Sequence, residues 1–364
     1  VLRTTPLDSA KGDSLEPITK SIGIWGLGPP RVQGRALAFL GAATRHPRIS
    51  HGLILALFAI LVVARMPEIV LKGRFWAEEG QVFFPRAWTV PPLQALFTSY
   101  GGYLNLVANA ATLAARLFMP LPLAPYLTIA VGLAFQLLPP LLLLTARDQW
   151  LAPIQTRFAG VLLLLLVPGT EEIWLQSLHC QFELTLCCGI ILALEPATGR
   201  AAFVQLAILG LTPLCGPGAI VLIPLFLARA VLDRSRARLL QGLTLAASSA
   251  IQVLFFVEPF AGRAYHLDPV MLLRVVAIRH VVEPFFGFKI AYMAARNIRH
   301  ELAAGHNPVW PLLLPVIVFV CFAVTVLRAP RAVAARWLLA AAVLTGLAAY
   351  YGALGGAALL IGAQ

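Results

Sequence analysis

FWAEEGQVFF, residues 75–84, sets two adjacent carboxylates, Glu78 and Glu79, among aromatics just past the first long apolar run of the chain. An acidic pair gains nothing as a lipid anchor, because a membrane interface favours Trp, Tyr, Lys and Arg. At the mouth of a membrane helix it is therefore a candidate for chemistry. The reading of everything around it follows from that position.

The run before it, about Leu53 to Leu71, is long enough to cross ~30 Å of hydrocarbon. Arg35, Arg45 and Arg48 precede it, so the positive-inside rule puts residues 1–50 in the cytoplasm and the acidic pair outside. The composition agrees. With 59% hydrophobic and 12% charged residues and a mean hydropathy of +0.83, the chain has too little polar surface for a soluble globule. Unbroken runs such as Leu141–Leu144 and Val161–Val167 exclude the alternating pattern of a membrane β-barrel. The fold class is all-α, a polytopic membrane helix bundle over residues 51–364. The net charge of +12 is spread through the links between apolar segments, which orients helices rather than binding nucleic acid. Residues 1–20 carry scattered charges without an apolar core and do not read as a cleaved signal peptide; a surface helix is expected at Arg31–Ala43.

Further spans are expected at about 122–145, kinked at Pro139-Pro140, then at 158–168 and 179–194. The run at 201–228, broken at Thr212-Pro213-Leu214-Cys215-Gly216-Pro217-Gly218, reads as two short helices whose basic ends stay on one side. Later spans fall at about 239–257, 309–327 and 337–358. Two segments are expected outside. The first, 72–121, should carry two surface helices around Gln81–Phe97 and Tyr103–Phe118, punctuated by Pro91-Pro92 and Gly101-Gly102. The second, 258–308, is rich in Arg and His. The five cysteines have no metal-site spacing and read as apolar fillers, with a Cys180–Cys215 disulfide as the alternative.

Several groups qualify for chemistry. Glu78 or Glu79 suits a general base towards a hydroxyl, or a carboxylate ligand to a divalent cation such as Mg or Mn; the plain alternative is capping of the next helix. Lys72 and Arg74 could meet an anionic lipid phosphate or merely snorkel. Glu172, Gln176, His179 and Glu183 step by four, three and four residues and would form one polar stripe on a helix entering the fourth span. That stripe could be a substrate wall, part of a metal site, or structural hydrogen bonding. Arg263, His266, Arg279 and His280 of the second outer segment could hold phosphate or sugar, or lie on headgroups. The Trp76 and Trp88 rings read as an interfacial belt. No Walker loop, dinucleotide fingerprint or HExxH motif occurs, which argues against ATP-driven transport by this chain.

Trp76-Ala77-Glu78-Glu79-Gly80, then Tyr100-Gly101-Gly102-Tyr103-Leu104, and the break at Leu211–Pro217 resemble features of a bacterial branch of the GT-C superfamily, the integral membrane glycosyltransferases that use polyprenyl-phosphate sugars. The resemblance spans about residues 53–328. It implies a GT-C-like bundle in the bacterial inner membrane and a polyprenyl-phosphate sugar donor, with a glycan or lipid acceptor. It assigns Glu78 or Glu79 the activation of an acceptor hydroxyl, where the family often carries Asp at one of the two positions. Tyr103 is implied as a substrate contact. Further membrane helices are expected beyond Gln364. A transporter or flippase for a lipid-linked or small polar substrate, and a non-catalytic membrane subunit, are the competing readings.

Overall fold

The computed structural model describes residues 47–167, 173–255, 268–329 and 333–352. Among these the protein is all-helical. The expected surface helix at Arg31–Ala43, the loop with Glu172, the positions Arg263 and His266, and the end of the last expected span lie outside the described residues.

Local breakers divide the chain. The first apolar run forms α1 (Pro47–Arg65), which stops before Pro67; a short α2 (Pro67–Lys72) follows and is closed by Gly73 at φ +58°. That left-handed cap is natural to glycine. The acidic loop then opens a π-helical turn (Glu79–Phe83) that runs directly into α3 (Phe84–Thr89). Pro91-Pro92 ends this piece and starts α4 (Pro92–Phe97). Gly101 and Gly102, both at positive φ, make the tight turn that pairs Tyr100 with Tyr103. Asn105 then caps α5 (Leu106–Phe118), its side chain accepting from the Ala108 N–H at 3.3 Å.

This corrects the expectation of two helices lying on the surface. The segment contains four helical pieces, and α5 is half built into the bundle: Ala108, Ala111 and Ala115 fall on one buried face that packs on α3 and on α6 (Ala124–Gln136). The alanines recur at three- and four-residue spacing and have no bulk, so the neighbouring backbones approach closely.

α6 and α7 (Leu138–Thr145) are one pass broken at Leu137, where Pro139 and Pro140 lack the N–H groups that would continue the ladder. With the preceding turn, residues 121–145 extend about 37 Å. This stretch and α15 (Trp310–Arg328) are the two described helical stretches long and apolar enough to cross a membrane. Apolar helices of 10–17 residues include α8 (Ile154–Leu165), α9 (Cys180–Ala193), α10 (Arg200–Cys215) and the run 217–232, which joins a 3-10 turn to α11 (Ile223–Leu232).

α9 is the axis of the bundle. Its last two turns, residues 187–193, are apolar on all sides and buried, as is Leu184, and the helix packs on α6, α7, α10 and α16 (Val333–Gly352). A helix without a polar face has to be surrounded. The thiols of Cys180 and Cys215 are free and buried, so the alternative of a disulfide is corrected in favour of apolar filling.

At one end of the bundle basic groups gather. Arg157 donates to the carbonyls of Leu144, Ala146 and Leu151 and touches His51, closing the end of α7. Arg147 reaches Thr198, and Asp148 accepts from the Glu195 N–H. Glu195 in turn pairs with Arg229 and Arg238, which share Asp233. Since Gln205 near the start of α10 accepts from Ala197 beside Glu195, both ends of the 200–232 hairpin meet here, as the charge pattern required. α12 (Arg236–Leu254), capped by Ser235, leaves from the same end.

The second expected outer segment folds as α13 (Pro269–Val276), a π-helical turn (Ala277–Val282) and α14 (Glu283–Ala303), with a kink at Gly287. It builds its own small core around Ile278, Ala295 and Ile298 and packs on α15.

Candidate functional site

At the end opposite the basic cluster, the acidic loop is held by one side chain. Glu79 is 1% exposed. Its Oε1 accepts from the Ser177 N–H at 2.6 Å, the Ser177 hydroxyl at 2.5 Å and the Leu178 N–H at 3.1 Å; its Oε2 accepts from the Trp76 N–H at 3.1 Å. The segment 173–179 is irregular, so its N–H groups need acceptors that no helix supplies, and the carboxylate provides them. Gly80 packs its backbone against Phe75, while Phe83 and Leu178 close the hub from below.

Glu78 is half-buried and has no hydrogen-bond or ion-pair partner among the described residues. On a helical backbone, adjacent side chains diverge by about 100°. The structure thus separates the two carboxylates: Glu79 is a clamp whose oxygens are engaged, and Glu78 has none of these contacts.

Around this hub the structure collects groups far apart in sequence. Tyr103 receives a hydrogen bond from Gln181 Nε2 at 3.1 Å. Gln181 Oε1 lies directly over Gly216, where a Cβ would collide with it, so the Pro/Gly break of the 200–232 hairpin touches the start of α9. Asn105 donates to the Leu178 carbonyl at 2.7 Å. Gln252 of α12 bonds both the N–H and the carbonyl of buried Leu104, at 3.3 and 3.0 Å, as a strand would. Replacing Gln252 by Leu strands both groups away from water, at a cost of about 2–4 kcal/mol. Thermal unfolding of the detergent-solubilised protein should show it; an unchanged midpoint would mean water reaches Leu104.

The other expected site residues fall in different places. Lys72 is exposed and pairs with Glu68 at 2.6 Å, and Arg74 stacks on the Trp76 ring at 5.1 Å. Trp88 is exposed and covered by Arg116, which suits the aromatic belt. The polar stripe is corrected: α9 begins at Cys180, so Gln176 and His179 sit in the irregular segment before it and do not extend its face. Gln176 is buried against Gly132 of α6, while the His179 ring packs on Phe182. Glu183 alone is on the helix, facing a cleft with Gln136 and Trp174. Arg279 pairs with its own neighbour Glu283 at 3.3 Å and His280 is exposed; no hydrogen bond or ion pair joins either to the acidic loop among the described residues.

No three His, Cys, Asp or Glu side chains converge on a common point among the described residues. With Glu79 engaged, the Glu78 carboxylate is the one left at the loop for a divalent cation among the described residues. That donor set is too small to hold one. Sequence reasoning missed Ser177, Asn105, Gln181 and Gln252. Of these, Gln252 left a signal, an amide set in the apolar last turn of its helix; the others are polar residues in a loop or at a helix start, where they attract no notice.

Fold and site together define an all-helical protein with two candidate membrane-crossing helical stretches and an acidic loop clamped to one end of its bundle. No family model, no curated protein and no solved structure matches the chain.

Proposed function

We propose that the protein is a multi-pass membrane glycosyltransferase. It moves a sugar from a polyprenyl-phosphate donor to a hydroxyl acceptor, a glycan or lipid, on the outer face of a bacterial inner membrane. The observation that carries the reading is the clamp: Glu79 fixes the loop on the bundle, so Glu78 is presented from a rigid base. A general base has to be held in place to be effective. The resemblance of the Trp76–Gly80 and Tyr100–Leu104 stretches to GT-C enzymes supports it. So does the separation of charge, since the Arg-rich end lies opposite the acidic loop and would face the cytoplasm.

In this reading Glu78 accepts the acceptor's hydroxyl proton as its oxygen bonds to the sugar's anomeric carbon. The bond from that carbon to the phosphate oxygen breaks, and the configuration inverts. The electron pair leaves with the polyprenyl phosphate, whose charge Arg74 would meet. Lys72, held by Glu68, is a weaker candidate for that role, and Arg279 and His280 belong to a separate helical cluster.

The test is transfer of radiolabelled sugar from a panel of polyprenyl-phosphate donors in membranes. Glu78→Gln should lower turnover by about 10²–10⁴-fold at unchanged protein level and thermal midpoint. Turnover untouched by that change would remove Glu78 from the chemistry. Movement of labelled lipid across the bilayer without transfer would establish the transporter instead.

A further inference from the structure

Between α1, α6, α7, α9 and the irregular segment before α9 lies a cleft of about 160 Å³. Its walls are apolar and aromatic, with Phe58, Trp174 and Phe182 among them, yet two polar side chains face into it. Gln136 is 3% exposed; its Oε1 accepts from the Leu175 N–H at 3.2 Å, which fixes the amide orientation and leaves Nε2 with no partner. Glu183, half-buried on α9, has no hydrogen-bond or ion-pair partner among the described residues. A buried amide donor and a carboxylate left unmatched in one apolar cleft are each unfavourable, and natural structures seldom retain such groups without a use.

We propose that this cleft binds the hydroxyl head of an apolar-chain alcohol. One hydroxyl resolves both deficits: its oxygen accepts from Gln136 Nε2 and its proton is donated to the Glu183 carboxylate. The volume holds a head of a few heavy atoms. The chain leaves past Phe182 and Leu186, which are 50% and 40% exposed on the outside of the bundle. A hydrocarbon would leave both polar groups unmatched. An ether would satisfy Gln136 but has no proton for Glu183.

The site is independent of the transferase reading, because its polar groups lie outside the Glu78–Glu79 loop. The probe is a twelve-carbon alcohol carrying a diazirine near the hydroxyl and a terminal alkyne, photolysed with the full chain in detergent, with labelled peptides located by mass spectrometry. Labelling should fall on the peptides containing Phe58 and Trp174–Phe182, and be displaced by dodecanol but not by dodecane or dodecyl methyl ether. Glu183→Leu removes no existing hydrogen bond, so it should cut labelling at least tenfold with the thermal midpoint kept or raised. Leu186→Trp, which fills the mouth and keeps both polar groups, should do the same. Equal displacement by dodecane, or labelling unaffected by Glu183→Leu and by Leu186→Trp, would overturn the proposal and leave a greasy groove. Stronger displacement by dodecylammonium than by dodecanol would overturn it in favour of a cation site. Glu78→Gln should leave the labelling as it is, so failure here and failure of the transferase reading are separable.

Discussion

Glu79→Ala should cost at least ~3 kcal/mol and deplete the folded protein in membranes. The carboxylate is buried and takes donors from Trp76, Ser177 and Leu178, so its removal leaves three backbone N–H groups and a hydroxyl without acceptors. Each stranded group costs about 1–3 kcal/mol. Water can recover part of this only if the hub opens. Glu79→Gln should cost less. Its carbonyl oxygen still serves Ser177 and Leu178, but its amide turns a donor towards the Trp76 N–H. Thermal unfolding of solubilised protein separates the cases. If Glu79→Ala leaves the midpoint unchanged while abolishing transfer, Glu79 is the base and the assignment of roles is reversed. Glu78→Ala, by contrast, breaks no hydrogen bond among the described residues and should leave the midpoint near that of the parent protein.

The second large effect is expected at Gly132. In an ordinary helix, Gly to Ala gains about 1 kcal/mol. Here the Ala methyl would be driven into the backbone of Gln176: it would fall 2.7 Å from the carbonyl oxygen and 2.8 Å from the carbonyl carbon, and closer still to the nitrogen. Backbone cannot swing aside as a side chain can, and this stretch of backbone is pinned one residue later by Glu79. Gly132→Ala should therefore destabilise by about 3 kcal/mol or more, reversing the sign of the helix propensity. If the protein is the transferase proposed above, it should also weaken turnover, since the displaced segment is the one that holds the acidic loop. A raised midpoint would show that the close approach relaxes without loss. The two substitutions act on one segment and should be less than additive when combined.

These two positions show where local reading works and where it stops. Pro91-Pro92, Gly101-Gly102, Pro139-Pro140 and the Pro213–Gly218 break were all legible, because a missing N–H or a positive φ acts on the residue itself and its nearest neighbours. The hairpin with both basic ends together was legible too, since charge follows the links between apolar runs. Helix ends were less so: the first span, expected at about 53–71, forms α1 over Pro47–Arg65 and a separate α2 over Pro67–Lys72. The polar stripe failed for a related reason: a four-residue spacing puts side chains on one face only where the backbone is helical, and α9 starts at Cys180.

The amino-acid sequence by itself determined the class: an apolar, Arg-punctuated, all-helical chain with an acidic pair beside its first long run, and the breaks at its Pro and Gly pairs. Only the tertiary structure decided which carboxylate is free. Glu78 and Glu79 are neighbours of the same chemistry, and what separates them is Ser177, reached across 98 residues of chain. The same holds for Gln252, which completes Leu104 from 148 residues away, and for Gly132, an unremarked helical glycine until Gln176 is laid against it. Hydrogen bonds and steric contacts fall off within a few ångströms, so partners remote along the chain leave no mark on local pattern, and only packing brings them within range.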